Sequence, residues 1–194
     1  MMPATLERLR AEHDNLERLV KLLDACHPTS IETGAKPVEV LVDTLYYLTR
    51  YPDVSHHPLE DRIVERLQKN GRLPPGLGEE IEAQHLTLAR QGTDLMRDLE
   101  SAARAETMSW LLLETNLRLY AERLRHNMAV EELALFPAAQ RYLDTADWRA
   151  IEEAVPHPGR DPLFARVVGA RFAQLHRVIA AEADCGCADA SPSP

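Results

Sequence analysis

The sequence predicts an all-α protein, an antiparallel up-down four-helix bundle with an extra helical segment at its C-terminal end. Apolar residues recur at steps of three and four over long stretches, which is the period of a helix that buries one face. Leucine and alanine are abundant and aromatic residues make up only 5% of the chain, a composition that favours helices. Consecutive helices joined by short loops pack antiparallel.

Two of the predicted helices carry a histidine in the middle of an otherwise apolar stripe. They are the first, residues 5–26, and the third, residues 79–103. A polar side chain on a buried stripe needs a partner, because burying it unpaired is costly. In the third helix Gly92 either allows close approach of a neighbouring helix or is a tolerated weak spot. The two stripes are Leu6, Leu9, His13, Leu16, Val20 and Leu23, and Ile81, His85, Leu88, Gly92, Leu95 and Leu99.

The second predicted helix is interrupted by prolines. Residues 38–50 are strongly helical, but Pro52 lacks the N–H that a helix interior needs and is expected to kink or break the helix. Residues 53–70 continue it and stop at Gly71. Pro58 lies within this second part and predicts a local distortion of the backbone.

The fourth predicted helix, residues 107–142, changes phase near its middle. Its inward face is predicted from three residues spaced by seven, Leu112, Leu119 and His126. A regular helix would next turn Val130 inward and leave Glu131 in solvent. A π-bulge, one extra residue in a single turn, would instead bring Glu131 to the face of His126. The shared face of His126 and Glu131 favours the second alternative, so a π-bulge is predicted between them.

The C-terminal part of the chain predicts two more helices and a tail. Residues 147–155 form a short helix and residues 162–182 a fifth substantial one. The predicted organisation is therefore a bundle over residues 1–143, a helical extension packed on it over residues 144–184, and a flexible tail over residues 185–194.

Composition excludes several classes of function. The formal net charge of −9 argues against binding to nucleic acid or to anionic membranes, which attract basic surfaces. No apolar run is long enough to cross a bilayer, and the N-terminus has no apolar signal core. Three cysteines, Cys26, Cys185 and Cys187, do not make a disulfide framework, so a cytoplasmic protein is expected.

A histidine- and carboxylate-rich segment lies in the second helix. His56 and Glu60 share one helix face, and His57 and Asp61 share a face rotated by about 100° from it. Only the stripe through His56 and Glu60 continues into two apolar residues along the helix. His56 and Glu60 are therefore predicted to face the core, and His57 and Asp61 to face solvent or to orient the ligands from outside.

Four helices thus each offer one inward histidine, and two of them add a glutamate. Their distances from the helix ends agree to within about one turn, so all can meet in one layer. Two carboxylates can bridge two metal ions, each of which two histidines then serve; a bridging oxide or hydroxide would leave each ion one open position. Nitrogen and oxygen ligands without thiolate suit iron, and less selectively manganese or zinc. The predicted metal ligands are His13, His56, Glu60, His85, His126 and Glu131.

The order of these residues over residues 5–143 resembles the hemerythrin-like (HHE cation-binding) family, as do the local segments HHPLED at 56–61 and EELALFP at 131–137. The resemblance implies a non-haem di-iron centre that meets O2, NO or peroxide. Oxygen-carrying hemerythrins have a fifth histidine one turn from the third, where this chain has Ile81 and Ala89. The chain is therefore more similar to the four-His, two-Glu variants, which include proteins linked to nitrosative stress and iron–sulfur repair.

Three interpretations of function remain open from the sequence. The leading one is a di-iron protein that binds or senses O2, NO or peroxide, or handles iron. The second is a di-iron enzyme that reduces peroxide or NO, or an iron–sulfur cluster repair protein, although no electron-donor site is evident. The third is a structural bundle with incidental histidines. Among lesser candidates, Tyr46, Tyr47 and Tyr51 are expected to pack, and Cys185 and Cys187 to lie in the tail.

Overall fold

Helices account for all the regular structure in the computed structural model, which describes residues 2–25, 38–103, 110–155 and 160–185. Within these ranges no helix is both long enough and apolar enough to cross a membrane. A π-helical turn, Glu131–Leu135, joins α6 to α7, and a 3-10 turn, Ala170–Phe172, precedes α9. The α-helices are α1 Ala4–Asp24, α2 Val38–Leu48, α3 Tyr51–Ser55, α4 His57–Lys69, α5 Leu77–Ala103, α6 Trp110–Val130, α7 Phe136–Tyr142, α8 Thr145–Ala154 and α9 Ala173–Cys185.

The helices form the predicted four-helix bundle. Helix α1 packs against α2 and α6, and α5 packs against the same two helices, so α1, α2, α5 and α6 close a ring. Helices α3 and α4 continue α2, and α7 continues α6. The bundle thus has four staves: α1 is the first, α2 to α4 the second, α5 the third, and α6 with α7 the fourth. The apolar residues of the stripes predicted for the first and third helices are buried, because each stripe lies on one face of its helix. The all-α prediction is confirmed.

The prolines break the second stave of the bundle twice. Helix α2 ends at Leu48, and Pro52 lies in the first turn of α3, where its missing N–H costs nothing. Pro58 likewise lies in the first turn of α4, and His56 is the residue between α3 and α4. The predicted distortion beside the site is confirmed. Gly71, with φ of 64°, follows the end of α4 in the left-handed conformation that favours glycine.

Gly92 brings α5 close to the second stave. A Cβ atom placed on Gly92 would collide with the Thr49 side chain and would lie 3.4 Å from the ring of Tyr120. Thr49 follows the end of α2, and Tyr120 is buried on α6. Close helix approach, one of the two alternatives for Gly92, is confirmed.

The inward face of α6 differs from the prediction by one residue. Leu112 and Leu119 are 59% and 44% exposed, so the predicted stripe faces outward. Three consecutive leucines at 111–113 left the phase of the helix undecided in the sequence. The π turn exists, but it begins at Glu131 instead of preceding it: the Phe136 N–H bonds to the Glu131 carbonyl. The buried residues of α6 are Leu113, Leu117, Tyr120, Ala121, Leu124, Asn127 and Met128.

The C-terminal segment packs on the bundle through two short helices. Helix α8 contacts α4, and α9 contacts α2 and α1. The predicted helix over residues 162–182 is wrong in its first half, because Asp161 caps a turn there. Its carboxylate accepts hydrogen bonds from the N–H groups of Leu163 and Phe164, and the Gly169 N–H donates to the Pro162 carbonyl. Residues 186–194, most of the predicted tail, lie outside the described residues.

Candidate metal centre

A buried polar layer divides the core of the bundle into two apolar clusters. On α1, Leu9 belongs to one cluster and Leu16 to the other, and His13 lies between them. On the fourth stave Glu131 lies between Met128 and Leu135 in the same way. Histidines and glutamates from all four staves therefore meet at one level of the bundle, as the helix-end distances predicted.

The inner half of this layer contains four buried residues. The two ring nitrogens His13 Nε2 and His56 Nε2 lie 3.0 Å apart. His56 Nε2 is 3.1 Å from Glu60 Oε1, and His13 Nε2 is 3.2 Å from Glu131 Oε2. Ligand atoms of these four residues all lie within 4.8 Å of one another. The break at His56 and the four-residue step to Glu60 direct both side chains inward.

Each glutamate presents one oxygen to this inner half and the other to His85. Glu60 Oε2 is 3.6 Å from His85 Nε2, while Oε1 faces His56. Glu131 Oε1 is 3.2 Å from His85 Nε2, while Oε2 faces His13. A carboxylate in this orientation can bind two cations, one through each oxygen. We call the His13–His56 side the inner position and the His85 side the outer position.

Three of the four carboxylate oxygens have no hydrogen-bond partner among the described residues, although they are fully buried. They are both oxygens of Glu60 and Oε2 of Glu131. An unsatisfied buried carboxylate oxygen is costly, and a bound cation removes that cost. The imidazole nitrogens and carboxylate oxygens around them are ligands that iron, manganese and zinc accept. The residues present therefore fit a metal centre.

A second set of carboxylates orients the histidines from outside. His13 Nδ1 lies 2.8 Å from Glu132 Oε1, and His56 Nδ1 lies 2.8 Å from Glu12 Oε2. An Nδ1–H that donates to a carboxylate leaves the Nε2 lone pair for a metal. Asp61, expected to face solvent or to orient ligands, has Oδ1 3.7 Å from His85 Nδ1. Glu12 and Glu132 were not predicted from the sequence, although each adjoins a predicted ligand.

In the metal-free cluster, the carboxylates favour the protonated form of the histidines. Burial alone would lower the pKa of His13, but the adjacent carboxylates of Glu131 and Glu60 outweigh it and raise that pKa to about 10. Burial also lowers the pKa of His56, yet Glu60 and Glu12 raise it to about 9. His85 behaves alike: Asp61 and Glu131 outweigh its burial and raise its pKa to about 10.

His126 does not join the cluster, and its predicted inward orientation is wrong. Its side chain is 66% exposed, with Nε2 3.9 Å from Glu80 Oε1. Because the π turn follows Glu131, the residue one regular turn before it is Asn127, which is buried. The Asn127 side-chain amide donates to Glu131 Oε1 at 2.7 Å and to Gln84 Oε1 at 3.1 Å.

His57 takes a more central place than predicted. Its ring stacks on His85, with centroids 4.1 Å apart, and its side chain is only 13% exposed. Ligand atoms of His57, Glu60 and His85 lie within 4.8 Å of one another. Of the two predicted alternatives for His57, facing solvent or orienting the ligands from outside, the structure excludes a fully solvent-facing ring. The rotation that separates His56 from His57 places them on the two sides of Glu60.

The tyrosines pack, as expected. Tyr47 stacks on Tyr51 and donates its hydroxyl to Asp161 Oδ2 at 3.0 Å, which ties α2 to the turn before α9. The ring of Tyr46 lies 3.6 Å from the Arg171 guanidinium carbon. Both contacts fix the C-terminal segment against the bundle.

A comparison with known families agrees with this geometry. The model of the hemerythrin HHE cation binding domain matches residues 4–139. The chain belongs to the hemerythrin HHE cation-binding family. Comparison of this hemerythrin-family chain with curated proteins and with solved structures gave no match. The family match covers all four staves of the bundle and every residue of the buried cluster. A hemerythrin-type domain implies binding of a cation, typically non-haem iron.

Proposed function

We propose that this hemerythrin-family protein holds two iron ions and uses them to bind or sense O2, NO or peroxide, or to handle iron. The observation that carries the proposal is the orientation of Glu60 and Glu131. Each has one oxygen toward the inner histidines and the other toward His85. Two carboxylates that face imidazoles on both sides match a site for two ions better than a site for one.

Each residue has a separate role in this proposal. His13 and His56 bind at the inner position, and His85 binds at the outer one. Glu60 and Glu131 bridge, and the carboxylates of Glu12, Glu132 and Asp61 keep the ring nitrogens turned toward the centre. Iron bound here supplies reversible one-electron chemistry and a position for a small ligand. Manganese or zinc would accept the same donors.

The outer side offers access to a small molecule. The side chain of His85 is 12% exposed, whereas those of His13 and His56 are 3% exposed. A purely structural metal site is saturated by protein ligands and closed to solvent. The partial exposure favours a centre that meets a small ligand from the His85 side.

Metal analysis and optical spectroscopy test this proposal. Protein purified from iron-replete cells is expected to contain two metal ions per chain. After anaerobic reduction, addition of O2 or NO is expected to change the charge-transfer absorption. A chain with no bound metal would contradict the dinuclear centre, and an unchanged spectrum with both gases would contradict an open one.

A second candidate is a di-iron enzyme that reduces peroxide or NO, or a repair protein for iron–sulfur clusters. The same partly exposed outer side favours it, because turnover needs exchange of substrate and product. Consumption of peroxide or NO by the loaded protein, in excess over bound iron and dependent on an added reductant, would distinguish turnover from binding.

A further inference from the structure

We propose that His57, and not His126, completes the outer metal position beside His85, and that this outer position is the exchangeable one. The inference rests on the proposed dinuclear centre and deepens it. It follows from the register of α4, from the contacts of His57 and from the composition of the α6 face.

The register of α4 places His57 beside the bridging carboxylate. Glu60 follows His57 by three residues and His56 by four, and both spacings bring side chains together on a helix. The backbone break between α3 and α4 falls at His56, so His56 precedes α4 and His57 is its first residue. His56 reaches the inner side of Glu60, and His57 reaches the outer side.

The contacts of His57 leave one nitrogen for a metal. His57 Nδ1 lies 3.0 Å from Asp53 Oδ1, the arrangement that holds a metal-binding imidazole with Nε2 unprotonated. The other three cluster histidines each have a carboxylate near Nδ1 as well, Glu132, Glu12 and Asp61. A surface ion pair between His57 and Asp53 would explain this one distance, but not the stacking of His57 on His85 or its proximity to Glu60.

The fourth stave contributes no histidine to the outer position. Its inward residue before Glu131 is Asn127, and the Asn127 amide group is occupied by Glu131 and Gln84. Without His57 the inner position has two imidazoles and the outer position one. With His57 each position has two imidazoles and one oxygen from each bridging glutamate.

Exposure separates the two positions. The side chains of His57 and His85 are 13% and 12% exposed, against 3% for His13 and for His56. Water and chelators therefore reach the outer ligands first. Metal at the outer position is expected to leave faster than metal at the inner position, so release to a chelator should have two phases.

Metal titration of two variants, His57→Ala and His126→Ala, tests this inference. Wild-type protein and His126→Ala are expected to bind two ions per chain with unchanged affinities. His57→Ala is expected to keep the inner ion and to lose at least about tenfold in affinity for the outer one, since a lost ligand costs no less than a lost orienting partner. In release to a chelator, the fast phase, which reports the outer ion, should become still faster in His57→Ala, and the slow phase of the inner ion should be unchanged.

The outcomes separate the inference from the proposed function. Wild-type protein without two bound ions would contradict the proposed function itself. If the wild type binds two ions, two results would overturn the assignment of His57 and leave the proposed function standing. One is an unchanged affinity for the outer ion in His57→Ala, and the other is loss of one ion in His126→Ala. If circular dichroism shows that His57→Ala does not fold, Asp53→Ala decides. It should weaken only the outer ion, and an outer-ion affinity unchanged from the wild type would overturn the inference.

Discussion

Metal loading should release protons, because metal and protons compete for the same three rings. The pKa values of His13, His56 and His85 are raised from 6.5 to about 10, 9 and 10 in the metal-free cluster. These raised pKa values favour protonated rings at pH 7, and each ring must be neutral to bind a metal. We expect loading to release at least one proton per chain at pH 7.

The pH dependence has a definite sign. A raised histidine pKa stabilises the metal-free fold fully below pH 6.5, and this contribution is lost as the pH rises through about 9 to 10. The apparent metal affinity should change in the opposite direction and increase with pH, by up to about tenfold per unit for each proton displaced.

Calorimetric titration with ferrous or zinc ions in two buffers of different ionisation enthalpy counts the protons. A His126→Ala control should release the same number as the wild type, because that ring lies outside the cluster. Release of fewer than one proton per chain would refute the protonated metal-free cluster, and an affinity that falls between pH 6 and 8 would refute the sign.

Three further predictions concern packing and ligand orientation. Leu117→Ala should lower the free energy of unfolding by about 2–5 kcal/mol and Leu119→Ala by less than about 1, measured by urea denaturation; the reverse order would contradict the observed face of α6. Gly92→Ala should cost about 1–3 kcal/mol in the same assay, because its methyl group collides across the bundle, whereas exposed Thr93→Ala should be nearly neutral; equal effects would contradict the close approach. Glu12→Ala should weaken metal binding about 10–100-fold by titration without unfolding the protein, and an unchanged affinity would contradict its orienting role.

The first and third staves were predictable from sequence because each has a single consistent apolar phase. Each of their stripes has one histidine between apolar residues, so only one orientation buries the leucines and the histidine follows them inward. The prolines near His56 were equally informative, because a missing N–H fixes where a helix can be interrupted.

The fourth stave was not predictable in the same way. Leu111, Leu112 and Leu113 occupy three successive directions around α6, so hydrophobicity alone fits more than one face. The chosen face is set by packing against α1 and α5, which is information outside the local sequence. A one-residue error then exchanged His126 for Asn127, and with it the identity of an inward side chain.

The carboxylates that orient His13 and His56 were not predicted, for a related reason. Glu132 belongs to the π turn but orients His13 on α1, and Glu12 on α1 orients His56. Such pairs join residues that are distant in sequence, and a sequence pattern detects only neighbours along one helix.

The polar layer also determines how the chain is tied together. His13 and Glu132 are 119 positions apart, so the cluster joins the first helix to the last stave of the bundle. A cation shared by His13 and Glu131 acts as a reversible cross-link, and closing so long a loop removes much conformational freedom from the unfolded chain. Loss of the metal would open that cross-link and leave a layer of charge between two separate half-cores. Bound metal would therefore stabilise the docking of α1 on the rest of the bundle as well as completing the site.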